Sequence, residues 1–177
     1  MSDFQEKIFK LDYFGKEIIV KTGKLAQQTD FSCTVQYGDT VILVTADMAK
    51  TARPGIDFFP LMIDYEEKLY AAGKIKGSRF IKREGRPTDD AVLIGRMIHS
   101  VIILLGLALI TNDVQVVLSV LSYDETSSPT VVGIIAASLA LYCSSVPWNG
   151  PVAGFSWGHV NNEYIINPSK TALEESE

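Results

Sequence analysis

The sequence predicts an α+β fold in which a mixed β-sheet packs with two main helices. β-Rich runs fill the first 65 residues, helical runs and one further strand follow, and a strand-turn-strand run comes near the end. Strands that precede helices, with few strand–helix–strand alternations, are typical of this class. A length of 177 residues suits one hydrophobic core, so residues 1–177 are expected to form a single domain.

Apolar alternation and turn residues predict the strands. They are a first hairpin of Lys7 to Tyr13 with Lys16 to Lys21, a second pair of Phe31 to Tyr37 with Thr40 to Ala46, then Phe58 to Tyr65, Asp113 to Tyr123, and a closing hairpin of Gly150 to Val160 with Glu163 to Ile166. The unbroken run from Val41 to Val44 predicts a strand covered on both faces. Pro60 predicts an edge or a bulge.

Thr88 is expected to cap the first main helix, with Asp89 and Asp90 in the first turn, where the helix dipole favours negative charge. The two aspartates also fit a metal or acid–base pair, although no third ligand is visible. The apolar stripe of this helix is expected to contain Leu93, Ile94, Met97 and Ile98.

The second main helix is expected from Val131 to Ser145, largely buried, with Ser127 or Ser128 as its cap and Pro129 in the first turn. A short acidic helix is expected to start within Pro168 to Glu177.

The most unusual stretch is the basic segment, Lys68 to Arg86. It contains seven basic residues and one acidic residue, in a chain whose net charge is -5. Gly73, Gly77 and Gly85 interrupt it, which favours a loop able to approach a ligand closely. Concentrated positive charge in an acidic protein predicts an anionic partner, and basic residues beside aromatic ones suit phosphates and stacked bases. The alternative is a solvated surface loop.

Other function classes lack support in the sequence. Cys33 and Cys143 are isolated in apolar runs and are expected to be buried, reduced thiols of a cytosolic protein. His99 and His159 have no metal-ligand spacing around them, and no phosphate-binding loop or hydrolase nucleophile motif occurs. The apolar run Val101 to Ile110 is too short to span a bilayer, so no membrane partner is expected.

Two long runs carry a family resemblance. They are DFFPLMIDYEEKLYAAGKIKGSRFIKREGRPTDDAVLIGRMI, from Asp57 to Ile98, and VPWNGPVAGFSWGHVNNEYIINPS, from Val146 to Ser169. Together they closely resemble the first RNase PH-type core domain of the bacterial polynucleotide phosphorylase family, and the likeness extends from about Lys7 to Glu175.

The resemblance implies an RNase PH-like fold and a cytoplasmic, phosphate-dependent 3′-to-5′ exoribonuclease that acts in mRNA degradation. It implies a homotrimeric ring, or a partner chain carrying the second core domain, around single-stranded RNA. The RNA-binding residues that match the family are Phe80, Ile81, Lys82, Arg83, Arg86 and Arg96.

In the family the catalytic and metal-binding residues belong to the second core domain, which this sequence does not contain. No catalytic residue and no cofactor are therefore expected in this chain. Inorganic phosphate, the co-substrate, and Mg²⁺ are expected in that second domain. The alternative is a non-catalytic RNA-binding or assembly module, or an inactive truncated gene product.

The chain departs from the family pattern from His99 onwards. The family's basic positions fall at Arg96, Ser100 and Ile103, spaced to share one helix face, and this chain keeps only the first. Apolar residues replace a charged segment of equal length through Ile110. A compensating pair of reading-frame shifts would produce such a block, and so would divergence.

Overall fold

The computed structural model describes residues 5–52, 54–55, 57–75, 77, 86–104, 111–160 and 162–174. Six strands form one sheet: β1 Lys7–Tyr13, β2 Lys16–Thr22, β3 Phe31–Tyr37, β4 Thr40–Met48, β5 Leu61–Glu67 and β6 Val114–Ser122. Their spatial order is β1-β2-β3-β4-β6-β5. All neighbours are antiparallel except β5 and β6, which are parallel. The predicted α+β class with a mixed sheet is confirmed.

Two helices cover one face of this sheet: α1 Asp89–Leu104, which connects β5 to β6, and α2 Pro129–Cys143. The short helix α3 Lys170–Glu174 lies against β7 Trp157–Val160. Helix α2 packs on β3, β4 and β6, and α1 packs on β5 and α2. A 3-10 turn, Leu69–Ala72, follows β5. The core therefore lies between the sheet and the two long helices.

Strand β4 is buried on alternate residues. Ile42 and Val44 face the helices and are fully buried, whereas Val41 and Leu43 point to the other face and are half-buried. The prediction that this run is covered on both faces is therefore wrong for the described part of the chain. The run is apolar throughout because the helices cover one face of the strand and the other face is partly shielded.

Helix α1 is rotated relative to its predicted orientation. Its buried residues are Ala91, Gly95, Ile98 and Ile102. Leu93 and Met97, predicted to belong to the core, are exposed. A methyl group at Gly95 would lie 3.6 Å from the carbonyl oxygen of Ile63, an ordinary contact distance, so this face of the helix lies close to β5. Ile98, predicted for the apolar stripe, is buried, and Ile94 packs against the core, so the stripe is half correct.

The ends of two elements also differ from the prediction. Strand β5 begins at Leu61 instead of Phe58, because Pro60 cannot donate a backbone hydrogen bond. Helix α2 starts at Pro129 and ends at Cys143, with Ser128 at its N-cap but without a side-chain capping bond. The Oγ of Ser144 instead donates to the carbonyl oxygen of Leu141 at 2.8 Å, where the helix ends.

The closing hairpin is shorter than predicted. Strands β7 Trp157–Val160 and β8 Glu163–Ile166 pair in a separate two-stranded sheet. Residues 150–156 are not a strand, because their backbone groups bond elsewhere. The amide of Val152 donates to Ser138 Oγ at 2.8 Å, and the carbonyl of Gly154 accepts from the Tyr13 hydroxyl at 2.7 Å.

The two cysteines differ in exposure. Cys33 is buried, as predicted, and burial raises the pKa of its thiol to about 12. Cys143, the last residue of α2, is exposed, which contradicts the prediction. Both are free thiols.

Candidate nucleic-acid interface

The basic segment connects β5 to α1 and leaves the sheet at the edge where the parallel strands β5 and β6 both end. Four of the predicted RNA-binding residues, Phe80, Ile81, Lys82 and Arg83, lie outside the described residues. Arg86 and Arg96 lie within them. Arg86 comes three residues before α1, and Arg96 is the eighth residue of that helix.

The start of the basic segment is anchored to the sheet. The amide of Tyr123, which follows β6, donates to the carbonyl of Ala71 at 3.1 Å. Gly73 ends the 3-10 turn with φ 67°, and Gly77 has φ 61°. A left-handed conformation at both positions favours glycine, as expected for a chain that changes direction within a short distance. The segment therefore leaves from a fixed point at the sheet edge.

The end of the segment is fixed by the cap of α1. Thr88 Oγ1 accepts a hydrogen bond from the amide of Ala91 at 3.2 Å, and Asp89 and Asp90 occupy the first turn. The capping role predicted for Thr88 is confirmed. Neither aspartate is part of a group of three side chains able to hold a metal, within the described ranges. Helix capping and the helix dipole account for both carboxylates.

The two described arginines present their charge to solvent. Both Arg86 and Arg96 are exposed, and no described carboxylate oxygen lies within 4.0 Å of either guanidinium group. Lys68, at the other end of the basic segment, pairs with Glu66 at 2.6 Å. Positive charge at Arg86 and Arg96 is therefore not neutralised by the described part of this chain.

Helix α1 continues through the block that departs from the family pattern, as far as Leu104. Arg96, Ser100 and Ile103 all lie on its exposed surface, as their spacing predicts. Ser100 Oγ donates to the carbonyl oxygen of Arg96 at 2.9 Å, so the hydroxyl satisfies the helix backbone. Of these three positions, only Arg96 therefore carries a positive charge.

Sequence reasoning missed the surroundings of Arg96. Leu93 and Met97 flank it on the exposed side of α1, at 63% and 43% exposure. The sequence feature that could have predicted these surroundings is the spacing of the small residues Ala91 and Gly95, which marks the face of α1 that packs on β5. The candidate surface therefore combines a guanidinium group with apolar side chains that a nucleobase can contact.

The fold and this site define an RNase PH-type core domain: helices on one face of a mixed sheet, with a basic connection between its two parallel strands. The sequence model of the 3′ exoribonuclease family, domain 1 (RNase PH), matches residues 15–147. The chain belongs to this family.

Several curated relatives are similar over nearly the whole chain. Polyribonucleotide nucleotidyltransferase of Heliobacterium modesticaldum is 47% identical over 171 residues, which cover 97% of this chain and 24% of the relative. Those of Streptococcus gordonii and Clostridioides difficile are 47% and 43% identical, over 97% and 98% of this chain. The chain spans about a quarter of the length of these relatives.

A solved structure shares the fold. Rice (Oryza sativa) Rrp46 superposes with a TM-score of 0.67 at 12% identity, covering 98% of this chain and 72% of that one. At this identity the likeness shows the fold alone. None of the described helices is long and apolar enough to cross a membrane.

Proposed function

We propose that this chain is the RNA-binding first core domain of a phosphate-dependent 3′-to-5′ exoribonuclease, a polyribonucleotide nucleotidyltransferase acting in cytoplasmic mRNA degradation. The RNA is single-stranded. The bond-breaking groups, together with inorganic phosphate and Mg²⁺, belong to a second core domain. That domain lies in the same assembly, either in a trimeric ring of longer chains or on a partner chain.

The observation that carries this proposal is the uncompensated charge of Arg86 and Arg96. Both are exposed and without an ion pair among the described residues, and they continue the charge of the basic segment onto α1. The chain has 21 acidic residues, yet within the described residues no carboxylate pairs with either arginine. Positive charge that is concentrated in one place and exposed to solvent favours the binding of a polyanion.

Phosphate contacts explain why such a surface suits a processive nuclease. Each Lys or Arg that neutralises a phosphate releases a condensed counterion, and this contribution does not depend on base sequence. An enzyme that shortens RNA step by step needs a grip of this kind. Phe80, two residues before Lys82 in sequence, would add base stacking of about 1–3 kcal/mol.

Fluorescence anisotropy with labelled single-stranded oligonucleotides tests the proposal. We expect affinity to fall steeply with salt and to be similar for different base sequences. Lys82→Glu with Arg83→Glu should abolish binding, and Arg86→Gln or Arg96→Gln should each reduce the salt slope by about 1. Lys50→Glu with Lys170→Glu is the matched control, because both lysines are exposed, lie elsewhere and change the net charge equally.

An unchanged affinity in the Lys82→Glu/Arg83→Glu variant would identify the basic segment as a solvated loop. The same result from the control and the test variant would show that only net charge matters.

A non-catalytic binding or assembly module is the second candidate. It is favoured by α1, where Ser100 and Ile103 stand at positions that are basic in the resembled family. Phosphorolysis of poly(A) discriminates between the two. We expect release of nucleoside diphosphate only when a polypeptide carrying the second core domain is added. No release in the presence of that polypeptide favours the module, and release by the 177-residue chain alone contradicts the placement of the reacting groups.

A further inference from the structure

Strand β1 forms an open edge of the six-stranded sheet, hydrogen-bonded on one side to β2. Along it Ile8, Phe9 and Leu11 are 53%, 58% and 64% exposed. A long edge strand with exposed apolar side chains is a template for pairing with another strand. The opposite edge, β5, carries Asp64 and Glu66 and is protected by charge.

The hairpin geometry fixes which backbone groups of β1 face outward. The two-residue turn Phe14-Gly15 has φ values of 53° and 77°, so Tyr13 and Lys16 close the hairpin as a hydrogen-bonded pair. Because hydrogen bonding alternates along an antiparallel strand, Leu11 and Phe9 also bond to β2. Ile8, Lys10 and Asp12 therefore direct their backbone N–H and C=O groups to the open edge.

We propose that β1 pairs with β1 of a second copy of this chain, antiparallel, with Leu11 on the two-fold axis. Lys10 then lies opposite Asp12 of the other copy, twice by symmetry, and these residues exchange the outward backbone hydrogen bonds. Leu11 lies opposite Leu11, and Phe9 lies opposite Tyr13. Charge therefore meets opposite charge on the open face of the sheet, and apolar groups meet on the other face.

The neighbouring registers are unfavourable. A shift of the axis to Lys10 places the two Lys10 side chains opposite each other, and a shift to Asp12 does the same for the carboxylates. Like charges directly opposite each other destabilise a strand pair. A shift of the axis by half a residue would place residues whose backbone groups bond to β2 opposite residues whose backbone groups face the open edge. This arrangement breaks the hydrogen-bond pattern.

Asp12 supports a second copy as the occupant. In the β1–β2 register it lies opposite Glu17, a like-charged pair. The ammonium group of Lys10 bonds Glu17 Oε2 at 3.0 Å, and no described cation lies within 4.0 Å of Asp12. Lys10 of a partner strand would supply the charge that Asp12 lacks within its own chain.

Sedimentation velocity of the nuclease-treated, RNA-free chain over a concentration series tests the proposal. We expect a monomer–dimer equilibrium. Asp12→Lys and Lys10→Asp should each raise the dimer dissociation constant by at least about tenfold, because both symmetric pairs become repulsive. The double variant Lys10→Asp/Asp12→Lys restores opposite charges and should restore the dimer. Glu163→Lys, on exposed β8, is the control that matches the charge change of Asp12→Lys.

Amide hydrogen exchange provides the second measurement. The amides of Lys10 and Asp12 should exchange more slowly as protein concentration rises, whereas those of Phe9 and Leu11, bonded to β2, should be protected at every concentration.

A chain that stays monomeric up to its solubility limit overturns the proposal. So does a dimer that both single variants leave unchanged, a double variant that stays monomeric, or assembly that requires RNA. The contact uses none of the proposed RNA-binding residues, so RNA binding and dimer formation succeed or fail separately.

Discussion

The indole Nε1 of Trp148 donates a hydrogen bond to the carbonyl oxygen of Ile102 at 3.3 Å, across 46 residues of sequence. Trp148 is 7% exposed and Ile102 is 1% exposed. The bond joins the second half of α1 to the segment that follows α2. Ile102 belongs to the block that departs from the family pattern, so this block takes part in the core of the domain.

Trp148 and Gly150 are expected to be energetically coupled. A methyl group on Gly150 would overlap the ring of Trp148. Gly150→Ala should therefore destabilise the domain by about 1–3 kcal/mol, the usual cost of overpacking. In a Trp148→Phe background the smaller ring leaves room, so Gly150→Ala should cost less there. Urea denaturation of the four proteins measures the coupling, expected at about 0.5–3 kcal/mol. Additive effects would contradict this packing.

Ile102 and Leu104 are expected to respond differently to truncation, although they are two residues apart on one helix. Ile102→Ala should lower the free energy of unfolding by about 2–5 kcal/mol, because it opens a cavity in the core. Leu104 is 82% exposed. Leu104→Ala is the matched control and should change stability by less than about 0.5 kcal/mol. Denaturant midpoints check both values, and equal losses would show that α1 does not pack by its Ile98–Ile102 face.

The sequence predicted elements well where a local pattern decides the structure. Strand alternation located β1 to β4 within two residues, and Thr88 marked the start of α1, because capping and strand periodicity depend on neighbours in the chain. Ile94 and Ile98 were placed correctly on the packed side of α1, but Leu93 and Met97 were not, because large apolar residues occupy both faces of the helix. Only the partner, β5, selects Gly95 and Ile98 as the packed side.

The charge of the candidate site could be predicted from the sequence, but its geometry could not. The count of basic residues identified the segment, and Arg86 and Arg96 are exposed as that interpretation requires. The apolar neighbours of Arg96 were not predicted, since they depend on the rotation of α1. The contact of Trp148 with Ile102 joins residues far apart in sequence, and no local pattern encodes it.

The two thiols are expected to react at different rates. Cys143 is exposed, whereas Cys33 is 2% exposed and burial raises its pKa to about 12. At pH 8 the thiolate fraction of Cys33 is about a thousandfold below that of an ordinary thiol. An aromatic disulfide reagent should modify one thiol rapidly, and Cys143→Ser should remove that fast phase. In 6 M urea or guanidinium, both should react together. Two equal rates in the folded chain would contradict the burial of Cys33.

Asp124 is expected to make stability depend on pH. Its carboxylate accepts hydrogen bonds from the amide of Asp39 at 2.6 Å and from the amide of Thr126 at 2.7 Å. It thereby joins the β3–β4 turn to the loop before α2. Burial alone would raise the pKa of Asp124, but bonds from the backbone of Asp39, Thr126 and Ser127 and from the Thr126 hydroxyl outweigh it and lower the pKa.

Because the pKa of Asp124 is lower in the folded chain than in the unfolded chain, the charged carboxylate favours folding. Its contribution is complete above the unfolded value of 3.8 and is lost as pH falls through the folded pKa. Asp124→Asn should cost about 1–3 kcal/mol at pH 7, since its amide nitrogen, itself a donor, would replace one of the two accepting oxygens and face a donor. Asp57→Asn, at an exposed position, is the control. Urea midpoints measured from pH 7 to pH 2.5 should show the wild-type and Asp124→Asn curves converging at the acid end. A difference that stays constant over this range would mean that the charge of Asp124 does not hold the turn and the loop together.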